Sequence, residues 1–325
     1  MDLKASISRI RVLPRGGLAV LVCAVFCAYG VMGADARDWR DLMWERSVAL
    51  REGVTLRAYA LEKPRLMKAY VARIDLATPG IGFTATERAD RWGEPMPDYT
   101  NSTVTICTKR ETVADFMSRR RNEGRNVEVA VNASGWKPWE HPFTHTYGSL
   151  YRWATSNGVE VSHGKNPERG VFFIVRKDGV AAIRARIPVS MTNEVAIAMY
   201  GNGRILKNGM EAFPPNLPKF KSVHPRTAFG LTADKKTLVL LAVDGRQPGY
   251  SLGASYADLA ALLRREGCTD AINMDGGGST SLVIFDRTSG HPLMLNHHVD
   301  GSVRKTALNL GITFTTERSN HETKP

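Results

Sequence analysis

Three consecutive glycines, Gly276, Gly277 and Gly278, constrain this chain more than any other feature. Each glycine adds backbone entropy that folding must remove and gives no side chain to a core, so a triplet is disfavoured inside a helix or strand. Here it lies between two short apolar runs, Thr269-Asp270-Ala271-Ile272-Asn273-Met274 and Leu282-Val283-Ile284-Phe285, each of which fits a buried strand. The triplet therefore marks a strand end where the backbone approaches something closely. Successive N–H groups in such a turn can form an anion-binding nest, with Asp275 before it and Ser279 and Thr280 after it. A plain turn between strands accounts for one glycine, but not for three flanked by a carboxylate and hydroxyls.

The residues upstream give this turn a setting. Arg226-Thr227-Ala228-Phe229-Gly230-Leu231 fits a strand, 233–236 a turn, and Thr237 to Val243 an apolar strand ending in Asp244-Gly245-Arg246. A helix follows: Ser255 can cap it, Asp258 suits its third position, Tyr256, Leu259, Ala260 and Leu263 recur at helical spacing, and Gly267 closes it. The next strand runs into Asp275, completing a strand–helix–strand unit. If its two strands are parallel in one sheet, their C-terminal ends share a rim and bring Asp244 and Asp275 together.

The remainder predicts an α+β chain, a strand-rich mixed sheet with few helices. Residues 54–59, 68–75, 81–85, 103–107, 127–131, 171–176, 180–183 and 195–200 read as strands, with Lys177-Asp178-Gly179 as a hairpin turn. Thr108-Lys109-Arg110-Glu111 has capping-box spacing ahead of a helix with Val113, Phe116 and Met117 on one face; its closing run, Arg119 to Arg121, is expected to face water. Residues 205–221 are loop-like because Pro214, Pro215 and Pro218 forbid a long helix. An aromatic loop carries Trp136, Trp139, Phe143, Tyr147, Tyr151 and Trp153, suited either to glycan contact or to pinning the loop onto the core. His141 and His145 lack a carboxylate or cysteine cluster and read as solvated, so neither a metal nor a cofactor is expected.

The N-terminus has the form of a signal peptide over residues 1–36: Lys4, Arg9, Arg11 and Arg15, then an apolar stretch from Leu18 to Ala28, then Ala34-Asp35-Ala36. This predicts a secreted or periplasmic protein with no stable membrane insertion after cleavage. The expected layout is a lead-in over 37–67, one domain over 68–315 and a polar tail over 316–325. Cys107 and Cys268 would remain, either as one disulfide or as two separately buried thiols. The signal accounts for +2 of the formal charge of +12, leaving +10. That excess suits an anionic partner; nucleic acid is not expected, because no helix has a concentrated basic face.

Four stretches resemble, in order, the signatures of the phosphodiester glycosidase domain: Pro225-Arg226-Thr227-Ala228; Val243-Asp244-Gly245-Arg246 with Gly249-Tyr250-Ser251-Leu252-Gly253; Asn273 to Thr280; and Asp300-Gly301-Ser302-Val303-Arg304. The resemblance extends to about residues 68–315, although Ala133-Ser134-Gly135-Trp136 departs from the Gly-and-Phe pair usual after the equivalent of Asn132.

The resemblance implies hydrolysis of a sugar-1-phosphodiester between the anomeric carbon and the phosphate oxygen, in an anionic glycan or sugar phosphate. The residue types suit it. Arg226, Arg246 and Arg304 can clamp a phosphodiester, and Gly276, Gly277 and Gly278 can bind its oxygens. An oxocarbenium-like transition state calls for a carboxylate, with Asp275 the first candidate and Asp244 the second. Asn132, Ser279 and Thr280 would contact substrate, and His224 is either an acid or a strand-end residue. Two other classes fit the same residues: a non-catalytic anionic-glycan binding module, and a metal-dependent phosphoesterase using Asp244 and Asp275 as ligands.

Overall fold

A computed structural model describes residues 43–44, 46–101, 103–163, 169–299 and 303–315, all within the unit Asp38–Pro325. The expected signal segment, the first residues of the lead-in, the tail from 316 and the Asp300-Gly301-Ser302 part of the last motif lie outside the described residues.

The chain adopts the strand-rich α+β architecture expected from its pattern. An eight-stranded sheet has the order Val48–Arg51, Val54–Leu61, Met67–Asp75, Thr237–Val243, Arg226–Thr232, Cys268–Asn273, Gly203–Lys207 and Met210–Glu211. A five-stranded sheet places Val127–Asn132 between Leu282–Asp286 and Asn309–Phe314. A second five-stranded sheet is built around Val195–Gly201, flanked by Trp153–Ser156 and Val171–Arg176. Neighbouring strands in these sheets are antiparallel, where the sequence suggested a mixed sheet.

Burial on both faces explains the unbroken apolar run of Thr237–Val243. Leu238, Leu240 and Ala242 point into a core shared with Val129, Val131, Phe173, Ile197 and Leu310 from the other two sheets, while Val239, Leu241 and Val243 pack on the opposite side with Leu259 and Leu263. A strand exposed to water on one face would alternate instead. The helix Tyr256–Arg265 covers that second face, and its Ser255–Asp258 capping box forms as expected. The strand before this helix and the strand after it run in the same direction, but Arg226–Thr232 lies between them, antiparallel to both.

Three local expectations change. The helix Val113–Asn122 is capped by Thr112, whose hydroxyl accepts from the Asp115 N–H at 3.0 Å; Thr108 instead lies in a two-residue strand and donates its hydroxyl to the Ala307 carbonyl at 2.6 Å. Its arginine run does not all face water, because Arg120 is 1% exposed and pairs with Glu87 and Glu123. Within the 205–221 stretch expected to be loop-like, residues up to Glu211 belong to a short hairpin, Gly203–Lys207 with Met210–Glu211, and Pro218–Lys221 forms a helical turn. Cys107 and Cys268 are both buried free thiols. Among the described residues no helix is long and apolar enough to cross a membrane.

Candidate active site

The site forms where three stretches of backbone come together at one rim of the eight-stranded sheet. The register sets Val243 opposite Arg226 and Asn273 opposite Ala228, so the two strands end within two residues of each other and flank the start of the arginine strand at Pro225-Arg226. The contact is close enough to require glycine. A Cβ on Gly276 would stand 2.6 Å from the Pro225 carbonyl oxygen, and one on Gly245 would stand 2.7 Å from the Pro225 nitrogen and from the Gly253 Cα. Neither obstacle is a movable side chain. Gly276→Ala is therefore expected to lower kcat/KM at least about tenfold and stability by about 1–3 kcal/mol, from paired kinetics and urea melts.

A cavity of about 330 Å³ opens beside this rim, and Arg226, Arg246, Arg304, Asp275, His224 and Trp139 contribute to its wall. Arg226 is held in place by the carbonyls of Ser222 at 2.9 Å and Ala254 at 3.2 Å. Burial lowers its pKa, with Arg246 adding to the effect and Tyr256 opposing it. Arg246 has a left-handed backbone, φ 58°, rare for a residue with a side chain, and its guanidinium reaches His224 Nδ1 at 3.3 Å. Arg304 stacks over Phe143 and Trp139, at 4.4 Å and 5.1 Å from the ring centroids. Neither Arg226 nor Arg246 has a carboxylate partner among the described residues, so both guanidinium charges remain uncompensated beside the cavity.

Asp275 is the carboxylate on the same cavity wall. Its pKa is raised to about 6 by burial, against the pull of Ser279, the Gly276 N–H and Arg304. The residue is half-buried, and its Oδ2 has no hydrogen-bond partner of ordinary geometry. While the Ser279 hydroxyl is directed at the Asp275 carboxylate, the Thr280 hydroxyl and Asn273 Oδ1 are likewise buried and unpartnered. Native structures hold few such groups, and a cluster of them marks a place built to meet a polar ligand or water.

The other predicted residues are placed differently. Asp244 does not line the cavity: it is 1% exposed, its Oδ1 accepts from the His297 N–H at 2.9 Å and the Asn296 amide at 3.4 Å, and its Oδ2 accepts from the Tyr250 hydroxyl at 3.2 Å. Burial raises its pKa to about 6 as well, with those donors opposing the rise. In this geometry Asp244 braces the rim from behind, bonded to the chain around Tyr250, Asn296 and His297. A two-carboxylate metal site at Asp244 and Asp275 does not fit it.

Asn132 also stands behind the site, fully buried. Its amide donates to the Asp275 carbonyl at 2.9 Å and accepts from the Thr227 hydroxyl at 2.8 Å and the Ser281 N–H at 3.0 Å. These bonds explain its residue type without a substrate contact. Ser279 and Thr280 are buried at 0% and 2% exposure, beneath the cavity surface, and Gly278 is buried with them. The anion nest is largely used up within the protein, because the Gly276 N–H is directed at the Asp275 carboxylate and the Gly277 N–H donates to Pro225 at 2.9 Å.

Both histidines on this wall, His141 and His224, were visible in the sequence. His141 is exposed, as expected of a solvated loop histidine, and also lines the cavity with its ring 4.2 Å from that of Phe143. His224 lies on the wall with its pKa lowered by burial and by Arg226 and Arg246, which favours the neutral imidazole. Its place directly before Pro225-Arg226 was the only available signal. Within the aromatic loop, Trp136 is core at 0% exposure and Trp139 is 51% exposed at the cavity mouth, so the loop is both pinned and presented.

Comparison with known proteins bears on this geometry. The family model described as phosphodiester glycosidase matches residues 125–313. An uncharacterised SPbeta prophage-derived protein, YomE, of Bacillus subtilis is 27% identical over 218 residues, which are 64% of this chain; the chain spans only 30% of that relative's length. Two solved structures share the fold. The catalytic domain of zebrafish N-acetylglucosamine-1-phosphodiester alpha-N-acetylglucosaminidase, auto-inhibited by its pro-peptide, aligns with TM-score 0.56 and 19% identity over 81% of this chain and 83% of its own. A hypothetical protein from Synechocystis aligns with TM-score 0.55 and 14% identity, over 83% of this chain and 64% of that one.

Proposed function

This chain belongs to the phosphodiester glycosidase family, and from that membership we propose that it hydrolyses a sugar-1-phosphodiester at the bond between the anomeric carbon and the phosphate oxygen. The observation that carries the reading is the pairing, in one cavity, of a partly desolvated carboxylate, Asp275, with the guanidinium groups of Arg226, Arg246 and Arg304. The arginines hold the anionic diester and stabilise the charge left on phosphate as the C1–O bond breaks. The Asp275 carboxylate faces the developing positive charge on the anomeric carbon, and water oxygen ends on the sugar. A phosphate monoester leaves more readily than a sugar alkoxide, so no carboxylic acid partner is required, and the absence of Asp244 from the cavity is consistent with this.

A binding module would need the arginines but not Asp275. A desolvated carboxylate beside an anion site weakens anion binding, so its presence there argues for chemistry. The basic and apolar residues of the N-terminal stretch support action after export, on envelope or external anionic glycans. Hydrolysis of an N-acetylglucosamine-1-phosphodiester in oxygen-18 water tests the reading. Label is expected in the sugar hydroxyl; label in phosphate would mean P–O cleavage, and the absence of turnover on any sugar-1-phosphodiester would overturn hydrolysis altogether.

A further inference from the structure

Asp275 has a second neighbour, Tyr151, which is not among the residues lining the arginine cavity. A Cβ built on Gly135 would lie 3.8 Å from Asp275 Oδ1 and 3.3 Å from the ring of Tyr151, so the carboxylate and this ring meet across a glycine with nothing projecting between them. The Asp275 charge also reaches the Tyr151 hydroxyl, whose pKa is raised chiefly by burial and further by that carboxylate. Yet the ring is 43% exposed. From it a groove of about 460 Å³ leads away, lined by Lys137, Arg152, Trp92, Ser149 and Thr105 as well as Tyr151, and by no carboxylate. The Lys137 ammonium stands 5.5 Å from the Tyr151 ring centroid.

An exposed aromatic face beside a catalytic carboxylate suits the apolar face of a sugar ring, and the groove beyond offers two cations and several hydroxyls to whatever follows that sugar. Resting on the phosphodiester glycosidase reading, we propose that this groove is a second substrate subsite, in which Tyr151 stacks on the sugar being released and Lys137 and Arg152 hold the next phosphate along. The substrate is then a repeating glycosyl-phosphate polymer cut within its chain, rather than a single capped phosphate. The arginine cavity takes the phosphate on one side of the scissile bond and the groove takes the next repeat on the other. Asp275 lies between them.

Calorimetric binding to the Asp275→Asn chain separates affinity from turnover. The probes are a synthetic N-acetylglucosamine-1-phosphate diester with one phosphate and a linear trimer with three. The trimer is expected to bind at least about tenfold tighter, and Lys137→Ala with Arg152→Ala in the same background is expected to bring that ratio close to one. Tyr151→Ala should weaken both probes, since both place a sugar there, and this exposed ring can be removed without opening the core. Equal affinities for the two probes, or a trimer preference that survives loss of both cations, would overturn the groove while leaving hydrolysis of the single diester by the wild-type chain as a separate result. Tight trimer binding with no hydrolysis of either probe by the wild type would instead overturn the enzymatic reading and, with it, the polymer-cutting role assigned to the groove.

Discussion

Asp275→Asn is expected to abolish more than about 99.9% of the turnover while making the protein more stable at neutral pH. The two effects share a cause. The carboxyl is held at a pKa of about 6 where an ordinary aspartate has 3.8. Between those values the folded chain keeps a proton that the unfolded chain has released, so this carboxyl favours folding in acid, and its contribution is lost as pH rises through about 6. At pH 7 the ionised, partly buried group opposes folding, and an amide of the same shape removes that penalty. The gain should be on the order of 1–2 kcal/mol at pH 7 and close to nothing at pH 4, measured by thermal melts at both. Hydrolysis by the wild type should follow the same titration and fall off below about pH 6. Retained turnover in the variant would remove Asp275 from the chemistry, and equal melts at both pH values would remove the strain.

Asn132→Ala is expected to be the most damaging single change that touches no substrate. It deletes an amide that satisfies the Asp275 carbonyl, the Thr227 hydroxyl and the Ser281 N–H at once, and leaves those partners buried among Val131, Ala133 and the strand ends. The expected loss is about 2–4 kcal/mol in urea denaturation. Turnover should also fall, through kcat rather than KM, because the carbonyl that Asn132 holds belongs to Asp275, the carboxylate proposed to act on the anomeric carbon. A variant that folds with normal stability, or that loses affinity alone, would return Asn132 to the substrate-contact role suggested by its sequence position.

The sequence showed much of this architecture because its signals were redundant. The apolar run at Thr237–Val243 read as a strand and the Ser255–Asp258 cap fixed the helix after it, and the structure shows that this helix covers one face of that strand. The shared rim followed from their order, even though Arg226–Thr232 inserts between the two strands. What the sequence could not supply was the direction of a side chain at that rim. Asp244 and Asp275 each follow an apolar strand, yet Asp244 turns inward onto donors from Asn296 and His297, more than fifty residues further along the chain. Polar residues such as Asn132, Ser279 and Thr280 suggested substrate contacts because their types suit them, and only burial separates a strut from a ligand. The cap of the Val113–Asn122 helix moved for a similar reason: Thr108 had a tertiary partner, the Ala307 carbonyl, that local spacing does not reveal.

The Asn132 amide joins residues 95, 143 and 149 positions away along the chain. Contacts between such distant segments carry the loop-closure cost that slows folding, and they are expected to form late. The geometry around Asp275 is therefore absent until the eight-stranded sheet and the Val127–Asn132 sheet have joined. If the chain is the proposed hydrolase, recovery of activity on refolding is expected to track complete assembly and to lag behind recovery of secondary structure.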